Sequence, residues 1–289
     1  MAYRLQLGLL FAFPVLVVAL LWALGKTIPV PVLGRDYVIT MPLPDNEPAI
    51  GLPEVLGPAD PTRPLVVIDA GHGGPDPGAV GEGVREKTVV LGLARALRDR
   101  LLAEGGIRVA MTRDEDRLVV LGERAEIARA LGADLFVSIH ADSAGEKEGV
   151  EGASIYTLSE TASSEAAARF AERENEADTV NGIDLSGNDR AVNDILVELS
   201  QRRTSGASDQ FASLIEREGQ GTLRFHPQPR RSAALAVLRA PDVPAVLYEA
   251  GFVTNPREAE ALASPEGQER FAEALARAIR IFFARQSGG

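Results

Sequence analysis

Apolar runs of strand length alternate along much of the chain with longer segments in which apolar residues recur at helical spacing. The run PLVVIDA ends in small residues, which predicts a buried strand. In the next segment, EKTVVLGLARALRDRLL, apolar residues lie three or four positions apart between Val90 and Leu101. This segment therefore predicts an amphipathic helix that ends near Gly105.

The same alternation continues with a strand in IRVAMTR, a helix through ERAEIARALG and a second apolar strand in LFVSIHA. A later run, AVLYEA, predicts a further apolar strand. Strands that alternate with helices indicate an α/β fold, in which a largely parallel sheet carries helices on its faces. In such sheets the loops at the strand ends converge on a crevice, so we expect the functional residues there.

The first segment of the chain, residues 1–26, has a different pattern. From Leu5 to Leu24 the sequence is almost uninterruptedly apolar, with Arg4 before it and Lys26 after it. That run is about long enough to cross a bilayer, and it is longer than the apolar region of a typical cleavable signal. We therefore expect an uncleaved membrane anchor. The alternative is a signal segment that is removed on secretion.

Residues 27–63 are rich in proline, in pieces such as IPVPVLG, MPLPDNEP and LPEVLGPADPTRP. Proline is incompatible with regular helix and with a central strand, so this segment is predicted to be an extended tether. It would hold the folded domain, residues 64–289, away from a membrane on the side that is reached by export.

Composition narrows the possible chemistry. The formal net charge is −11, so the chain lacks the basic surface that neutralises a phosphate backbone, and nucleic acid is not an expected partner. There is no cysteine, which excludes both a disulfide framework and a thiolate metal site. Any metal ion must therefore be held by histidine and carboxylate side chains.

Two of the three histidines stand at the ends of predicted strands. His72 lies just after PLVVIDA, and His140 lies at the end of the strand in LFVSIHA. Glu86, between them, occupies the first turn of a predicted helix, where the helix dipole favours a carboxylate. Two imidazoles and one carboxylate suit a catalytic zinc ion and leave a fourth position for water. Either histidine alone could equally be a hydrogen-bonded loop residue.

The loop around His72 is rich in glycine, which is typical of a tight turn that fixes the direction of a side chain. The glycines of AGHGG permit positive φ and close approach of the backbone, so they can direct the His72 ring. Asp69 is near enough in sequence to orient that ring from behind, and capping of a turn is an equally good interpretation.

These residues resemble the zinc-dependent N-acetylmuramoyl-L-alanine amidases, the Amidase_3 family. The matching pieces, which together span about residues 65 to 285, are IDAGHGGPDPGA, the EK at Glu86, SIHAD, GASIYTLSE and APDVPAVLYEAGFVTNP. The resemblance implies that His72, Glu86 and His140 are the zinc ligands. It implies that Glu249, in LYEAGF, is the catalytic carboxylate. The implied fold is a mixed, mostly parallel six-stranded sheet surrounded by helices.

By the same resemblance, the bond that is cleaved joins the lactyl group of N-acetylmuramic acid to the L-alanine of the peptidoglycan stem. Zinc chemistry agrees, because a metal activates water and polarises a carbonyl while a carboxylate such as Glu249 moves the proton. Wall polymer lies outside the cytoplasmic membrane, so we expect a periplasmic location with a membrane tether. Two alternatives are a catalytically silent wall-binding regulatory subunit and another zinc hydrolase of the wall.

Three further polar residues invite a functional interpretation. His226 precedes a proline in RFHPQP, and we expect it on the surface or at the rim of the site, since the three-ligand set is already complete. Arg230 and Arg231 could face an anionic wall substrate, although ordinary solvation of a loop is the simpler expectation.

Residues 158–220, approximately, are polar, acidic and helix-forming, with Ser163 or Ser164 as candidate helix caps. The segment resembles the insertion of Gram-negative cell-division amidases, in which a helix blocks the zinc site until an activator displaces it. The resemblance implies an autoinhibited enzyme of daughter-cell separation, with a LytM-like activator protein. Glu160 and Glu165 are our candidates for the blocking carboxylate. The alternative is a solvated helical pair that covers a sheet edge.

Overall fold

The computed structural model describes residues 51–81, 83–143, 150–176, 194–240 and 242–286, together with a few isolated positions outside these ranges. The chain divides into two units, Met1–Glu47 and Pro48–Gly289. In the first unit only Phe13, Leu16 and Leu20 are described, and all three are helical and exposed. Apart from these three residues, the predicted anchor lies outside the described residues, as does much of the predicted tether. Within the described part, no helix is both long enough and apolar enough to cross a membrane.

The main sheet of the second unit has six strands among the described residues. They are β1 (Leu65–Ala70), β2 (Arg108–Met111), β3 (Leu135–His140), β4 (Ala153–Leu158), β5 (Phe225–Ala233) and β6 (Ala245–Glu249). The spatial order is β2-β1-β3-β6-β4-β5. Only β4 and β6 pair in antiparallel fashion, and the other four pairs are parallel. The expected mixed, mostly parallel six-stranded sheet is confirmed.

Six described helices accompany the sheet. They are α1 (Glu86–Glu104), α2 (Leu121–Ala130), α3 (Glu165–Asn175), α4 (Asp194–Gly219), α5 (Pro256–Ala263) and α6 (Pro265–Gln286). A short antiparallel pair, Thr179–Val180 with Ile183–Asp184, stands apart from the main sheet. The strands and helices predicted from the apolar pattern between β1 and β3 are all present.

The sheet is buried on both faces, as the continuous apolar run of β1 predicts. Val66 and Ile68 belong to a core that includes side chains of α1, α4 and α6. Leu65 and Val67 belong to the core on the opposite face, which includes side chains of α2 and α3. The two helical layers leave the ends of the strands as the place where polar side chains can gather.

The segment from 158 to 220 does not behave as one insertion. Its second part, α4, supplies Phe211, Leu214 and Ile215 to the main core, and α4 also packs against α6. Its first part, α3, lies on the other face of the sheet and contributes Phe170 to the second core. The polar composition that made the whole segment look peripheral belongs to the exposed faces of two helices whose apolar faces are buried.

The end of the predicted tether contacts the folded unit. The backbone N–H of Leu56 donates to the carbonyl of Val109 at 2.8 Å, and Val109 N–H donates back to Leu56 at 2.9 Å. The Arg108 side chain donates to the carbonyls of Arg63 and Pro61 at 2.8 and 2.9 Å. Backbone pairing at a sheet edge leaves no signature in a hydrophobic pattern, so the folded unit begins earlier than residue 64.

A buried carboxylate, Asp69, joins the ends of three strands. It accepts hydrogen bonds from the hydroxyls of Thr112 and Ser138 at 2.6 and 2.7 Å, and Arg124 of α2 lies 2.7 Å away. Burial alone would raise the pKa of Asp69, but Arg124 and the two hydroxyls hold that pKa below its usual value. The side chain is therefore ionised, and its charge is balanced within the protein.

We expect Asp69→Ala to lower the free energy of unfolding by about 3–5 kcal/mol, because it leaves the buried guanidinium of Arg124 without its carboxylate. Asp242→Ala removes the partner of Arg129 from a half-exposed pair and should cost less than about 1 kcal/mol. Urea unfolding of the metal-free proteins measures both values. Equal losses in the two variants would contradict a structural role for the Asp69 network.

Candidate metal centre

Three neighbouring parallel strands bring the predicted site residues together. The order β1-β3-β6 places the end of β3 beside the end of β6, where His140 is in register with Glu249. His72 follows β1 by two residues, at the same edge of the sheet. All three side chains are buried. The structure thus places His72 and His140, which we expected to open into one cleft, at the same edge of the sheet as Glu249.

The loop after β1 is held in an unusual shape by two buried arginines. His72 has φ of 58°, in the left-handed region that residues other than glycine seldom adopt. Arg124 donates to the carbonyl of His72 at 2.9 Å, and Arg113 donates to that of Gly71 at 2.7 Å. A Cβ atom on Gly71 would lie 2.5 Å from the His140 ring, so only glycine lets the two histidines approach.

The ring nitrogens of both histidines face the carboxylate of Glu86. His72 Nε2 and His140 Nδ1 each lie 3.2 Å from Glu86 Oε1. Glu86 is the first residue of α1, and it is held by two backbone donors: Ala141 N–H to Oε1 and Ala79 N–H to Oε2, both at 2.8 Å. The three residues proposed from sequence thus meet at one buried point.

A fourth residue, Glu174 of α3, completes this cluster and was missed by the sequence analysis. Its Oε2 lies 3.0 Å from His140 Nδ1 and 3.7 Å from His72 Nε2. The signal that would have identified it is helical spacing. The residues of α3 that are buried stand at i, i+3, i+4 and i+7, and they are Ala167, Phe170, Ala171 and Glu174. A glutamate on that apolar face needs a partner in the interior.

Glu160 and Glu165, the two carboxylates expected to block the site, lie elsewhere. Both are exposed, and Glu165 pairs with Arg169 of the same helix at 3.6 Å. Glu165 is the first residue of α3, after the cap Ser164, so it points into solvent rather than towards the histidines. The carboxylate of this helix that lies beside the histidines is Glu174, more than two turns further along.

The donor atoms fit a metal ion. His72 Nε2, His140 Nδ1 and Glu174 Oε2 are buried without a hydrogen-bond partner among the described residues. One ligand atom from each of these three residues lies within 4.8 Å of the others. The donor atoms lie 3.0–3.7 Å from one another. Two ligand atoms of a tetrahedral zinc site are expected to lie about 3.3–3.6 Å apart, which is close to these distances. Lone pairs that face one another in a buried site call for a cation between them.

The outer partner of His72 is Asp76, which the sequence analysis did not identify. Its Oδ2 lies 2.7 Å from His72 Nδ1, so the opposite nitrogen, Nε2, is directed at the cluster. Asp69, the residue proposed for this role, forms no hydrogen bond with the ring. It pairs instead with Arg124, which donates to the His72 carbonyl. Asp69 therefore supports the loop rather than the imidazole.

The metal-free cluster holds protons tightly. Burial lowers the pKa of His72, but the carboxylates of Glu86 and Asp76 outweigh it and raise that pKa to about 10. Burial likewise lowers the pKa of His140, while Glu174 and Glu86 raise it to about 10. A metal ion binds neutral imidazole, so binding must release these protons and must weaken as the pH falls.

Glu249 lies beside the cluster as a separate carboxyl group. Its Oε1 accepts the backbone N–H of Asp142, and its Oε2 is buried without a hydrogen-bond partner among the described residues. Burial, and after it the charges of Asp142 and Glu86, raise the pKa of Glu249 well above its usual value. A carboxyl group of this kind can hold a proton near neutral pH.

A cleft of about 400 Å³ opens beside Glu249. His226 and Arg231 line this cleft and are not part of the histidine cluster, in agreement with the expectation for His226. Arg230, by contrast, forms an ion pair with Glu216 of α4 at 2.9 Å.

The mixed sheet carries helices on both faces, and its strand ends enclose a buried cluster of histidines and carboxylates. These features define an α/β protein with a candidate metal centre. The N-acetylmuramoyl-L-alanine amidase family, Amidase_3, matches residues 66–280. The chain belongs to this family.

Curated relatives include the N-acetylmuramoyl-L-alanine amidase AmiC of Neisseria meningitidis serogroup B, which is 39% identical over 76% of this chain and 53% of the relative. AmiA of Escherichia coli strain K12 is 38% identical, over 76% of each chain. The chain thus spans about half the length of its AmiC relative. The solved structure of AmiC2 of Nostoc punctiforme is 29% identical, with a TM-score of 0.54, and covers 77% of this chain and 98% of its own.

We expect His72→Ala to weaken zinc binding by more than the roughly 10–100-fold that loss of an outer partner costs, because it removes a donor from the buried cluster. His226→Ala is the matched control and should bind one zinc ion per chain like the parent. Competition with a chromophoric chelator measures both affinities. An equal loss in the two variants, or none in His72→Ala, would contradict a metal site at this cluster.

Proposed function

We propose that this chain is a zinc-dependent peptidoglycan amidase that hydrolyses the bond between N-acetylmuramic acid and the L-alanine of the stem peptide. The observation that carries the proposal is the convergence of His72, Glu86 and His140 at one buried point beside Glu249. Membership of the amidase family and the names of the relatives support the choice of bond.

In this proposal His72, Glu86 and His140 hold the zinc ion. When bound, the ion supplies Lewis-acid chemistry, which lowers the pKa of water and polarises a carbonyl group. Glu249 takes the proton of the attacking water and delivers it to the departing amine of L-alanine. The dication's charge would draw the raised pKa of Glu249 downward, so that the carboxylate form is accessible at neutral pH.

The products decide between this proposal and its alternatives. Zinc-loaded protein and its Glu174→Ala variant are incubated with purified peptidoglycan, and the released material is analysed by mass spectrometry. We expect intact stem peptides with a free N-terminal L-alanine. Glu249→Gln, introduced into the Glu174→Ala variant, should release them about 10²–10⁴-fold more slowly while retaining zinc. Fragments cut within the stem, or acetate, would indicate another wall hydrolase. A zinc-loaded protein that releases nothing would favour the silent regulatory subunit.

We further propose that α3 holds the enzyme in an inhibited state, with Glu174 as the fourth zinc ligand. A position filled by protein is not open to water or substrate, which distinguishes a closed site from a catalytic one. The helix is fixed to the domain at several points. Phe170 stacks on Tyr156 with a ring-centroid distance of 4.5 Å, Arg173 pairs with Asp142, and Asn175 accepts the Ala236 N–H at 2.7 Å.

Release of α3 requires a competing interaction. A displacement of α3 that carries Glu174 away from the histidines would break the contacts of Phe170, Arg173 and Asn175. A second protein that binds α3 would provide the free energy, and we propose a LytM-like activator for that role. The segment before the folded unit is proposed to keep the enzyme in the periplasm, tethered to the cytoplasmic membrane, where wall polymer is accessible.

Glu174→Ala separates inhibition from catalysis. Without activator, we expect this variant to cleave peptidoglycan about tenfold faster than the parent or more, because the fourth position is open. Its zinc affinity should fall at the same time, because one donor is lost. Glu172→Ala, an exposed residue of the same helix, is the matched control and should change neither quantity. A Glu174→Ala variant no faster than the parent, with zinc bound, would refute inhibition by this residue.

A further inference from the structure

The cleft beside Glu249 is formed by one face of the sheet and by α3. Its walls include the β4 residues Ser154 and Tyr156, the α3 residue Phe170 and the β5 residues His226 and Arg231. Side chains on one face of a sheet alternate along each strand, and residues in register share that face. Arg231 is in register with Tyr156, and Ser154 is in register with Glu249. The cleft therefore runs along the sheet from Glu249 to Arg231.

Arg231 is fixed in this cleft by neutral groups. Its guanidinium donates to the Tyr156 hydroxyl at 3.2 Å and to the Gln228 carbonyl at 3.2 Å, and it lies 3.0 Å from His226 Nδ1. That nitrogen also accepts the Gln228 N–H at 3.1 Å, so the proton of the neutral His226 ring is on Nε2. Within the described part of the chain, no carboxylate lies within 4.0 Å of Arg231. The guanidinium is oriented, and its charge is unbalanced.

The neighbouring arginines differ from Arg231 in this respect. Arg173 and Arg169, which also line the cleft, pair with Asp142 and Glu165. Arg230 pairs with Glu216. In a chain with a formal net charge of −11, a positioned arginine that has no acidic partner among the described residues is available to an acidic ligand.

The spacing between Arg231 and Glu249 suits a ligand that spans both. Two strand spacings and two residues along the sheet separate their Cα atoms by about 12 Å. An extended arginine shortens that gap to the length of about one or two peptide residues. A carboxylate one or two residues from the scissile amide would therefore reach the guanidinium while the amide lies beside Glu249.

We propose that Arg231, supported by His226, binds a carboxylate of the stem peptide and so selects substrates with a free acid close to the cleaved bond. The inference rests on the proposed amidase function and names the part of the substrate that occupies this cleft. Only the peptide side of the scissile bond offers such a group, because the muramoyl carboxyl is consumed in the amide itself. The peptide then lies along β4 and β5.

The test compares two muramoyl stem peptides that differ only in whether the second residue carries a free α-carboxylate or its amide. Both are assayed with the full chain in the Glu174→Ala background, to keep α3 from limiting access. We expect kcat/KM to favour the free acid by about tenfold or more, chiefly through KM. Arg231→Gln should abolish that preference, Arg231→Lys should restore part of it, and Arg230→Gln should leave it unchanged.

Binding of the corresponding released peptides, measured by calorimetry, separates this inference from the proposed function. If the acid peptide binds more tightly than the amide, and Arg231→Gln but not Arg230→Gln removes that difference, the inference holds even when neither substrate is cleaved. In that case the amidase proposal alone fails. If both substrates are cleaved and Arg231→Gln keeps the preference of the parent, the inference alone fails. If the parent neither cleaves nor discriminates between the peptides, both fail.

Discussion

The whole site depends on one electrostatic constraint, which is that four electron-pair donors are directed at a single point inside the protein. Two imidazole nitrogens and two carboxylate oxygens lie 3.0–3.7 Å apart in their closest contacts, and the residues that carry them are buried. Without a cation, the imidazoles must bind protons to balance the carboxylates, which is why the pKa values of both histidines rise to about 10. A divalent ion held by these donors would satisfy the same constraint.

The fold supports this arrangement from behind. Parallel strands β1, β3 and β6 end side by side, so each places one functional residue at the same edge. The loop that carries His72 is the weak point, because its backbone is left-handed at a residue with a side chain. Arg113 and Arg124 hold its carbonyls, and Asp69 balances the charge of Arg124. A buried ion pair thus contributes to the direction of a ring that it does not touch.

Sequence patterns predicted those parts of the site that follow from strand ends. His72, His140 and Glu249 each follow or end an apolar run, and the family resemblance supplied roles for them. Glu174 could not be found in that way, because it depends on which face of α3 is buried, and the segment was interpreted by its polar composition. Asp76 was missed for a related reason: the turn that brings it back to His72 Nδ1 is set by loop geometry, not by periodicity.

The same helix connects the candidate metal site, Glu249 and the cleft. Glu174 reaches the histidines, Phe170 covers Tyr156 on the floor of the cleft, and Arg173 pairs with Asp142, whose backbone N–H binds Glu249. These contacts come from one face of one helix, so a displacement of the whole helix breaks them together. A movement of α3 that takes Glu174 away from the histidines therefore also widens the cleft between Glu249 and Arg231. If α3 inhibits the enzyme as proposed, opening of the metal site and widening of the cleft for the peptide are then one event, because Glu174 and the cleft residues Phe170 and Arg173 belong to the same helix.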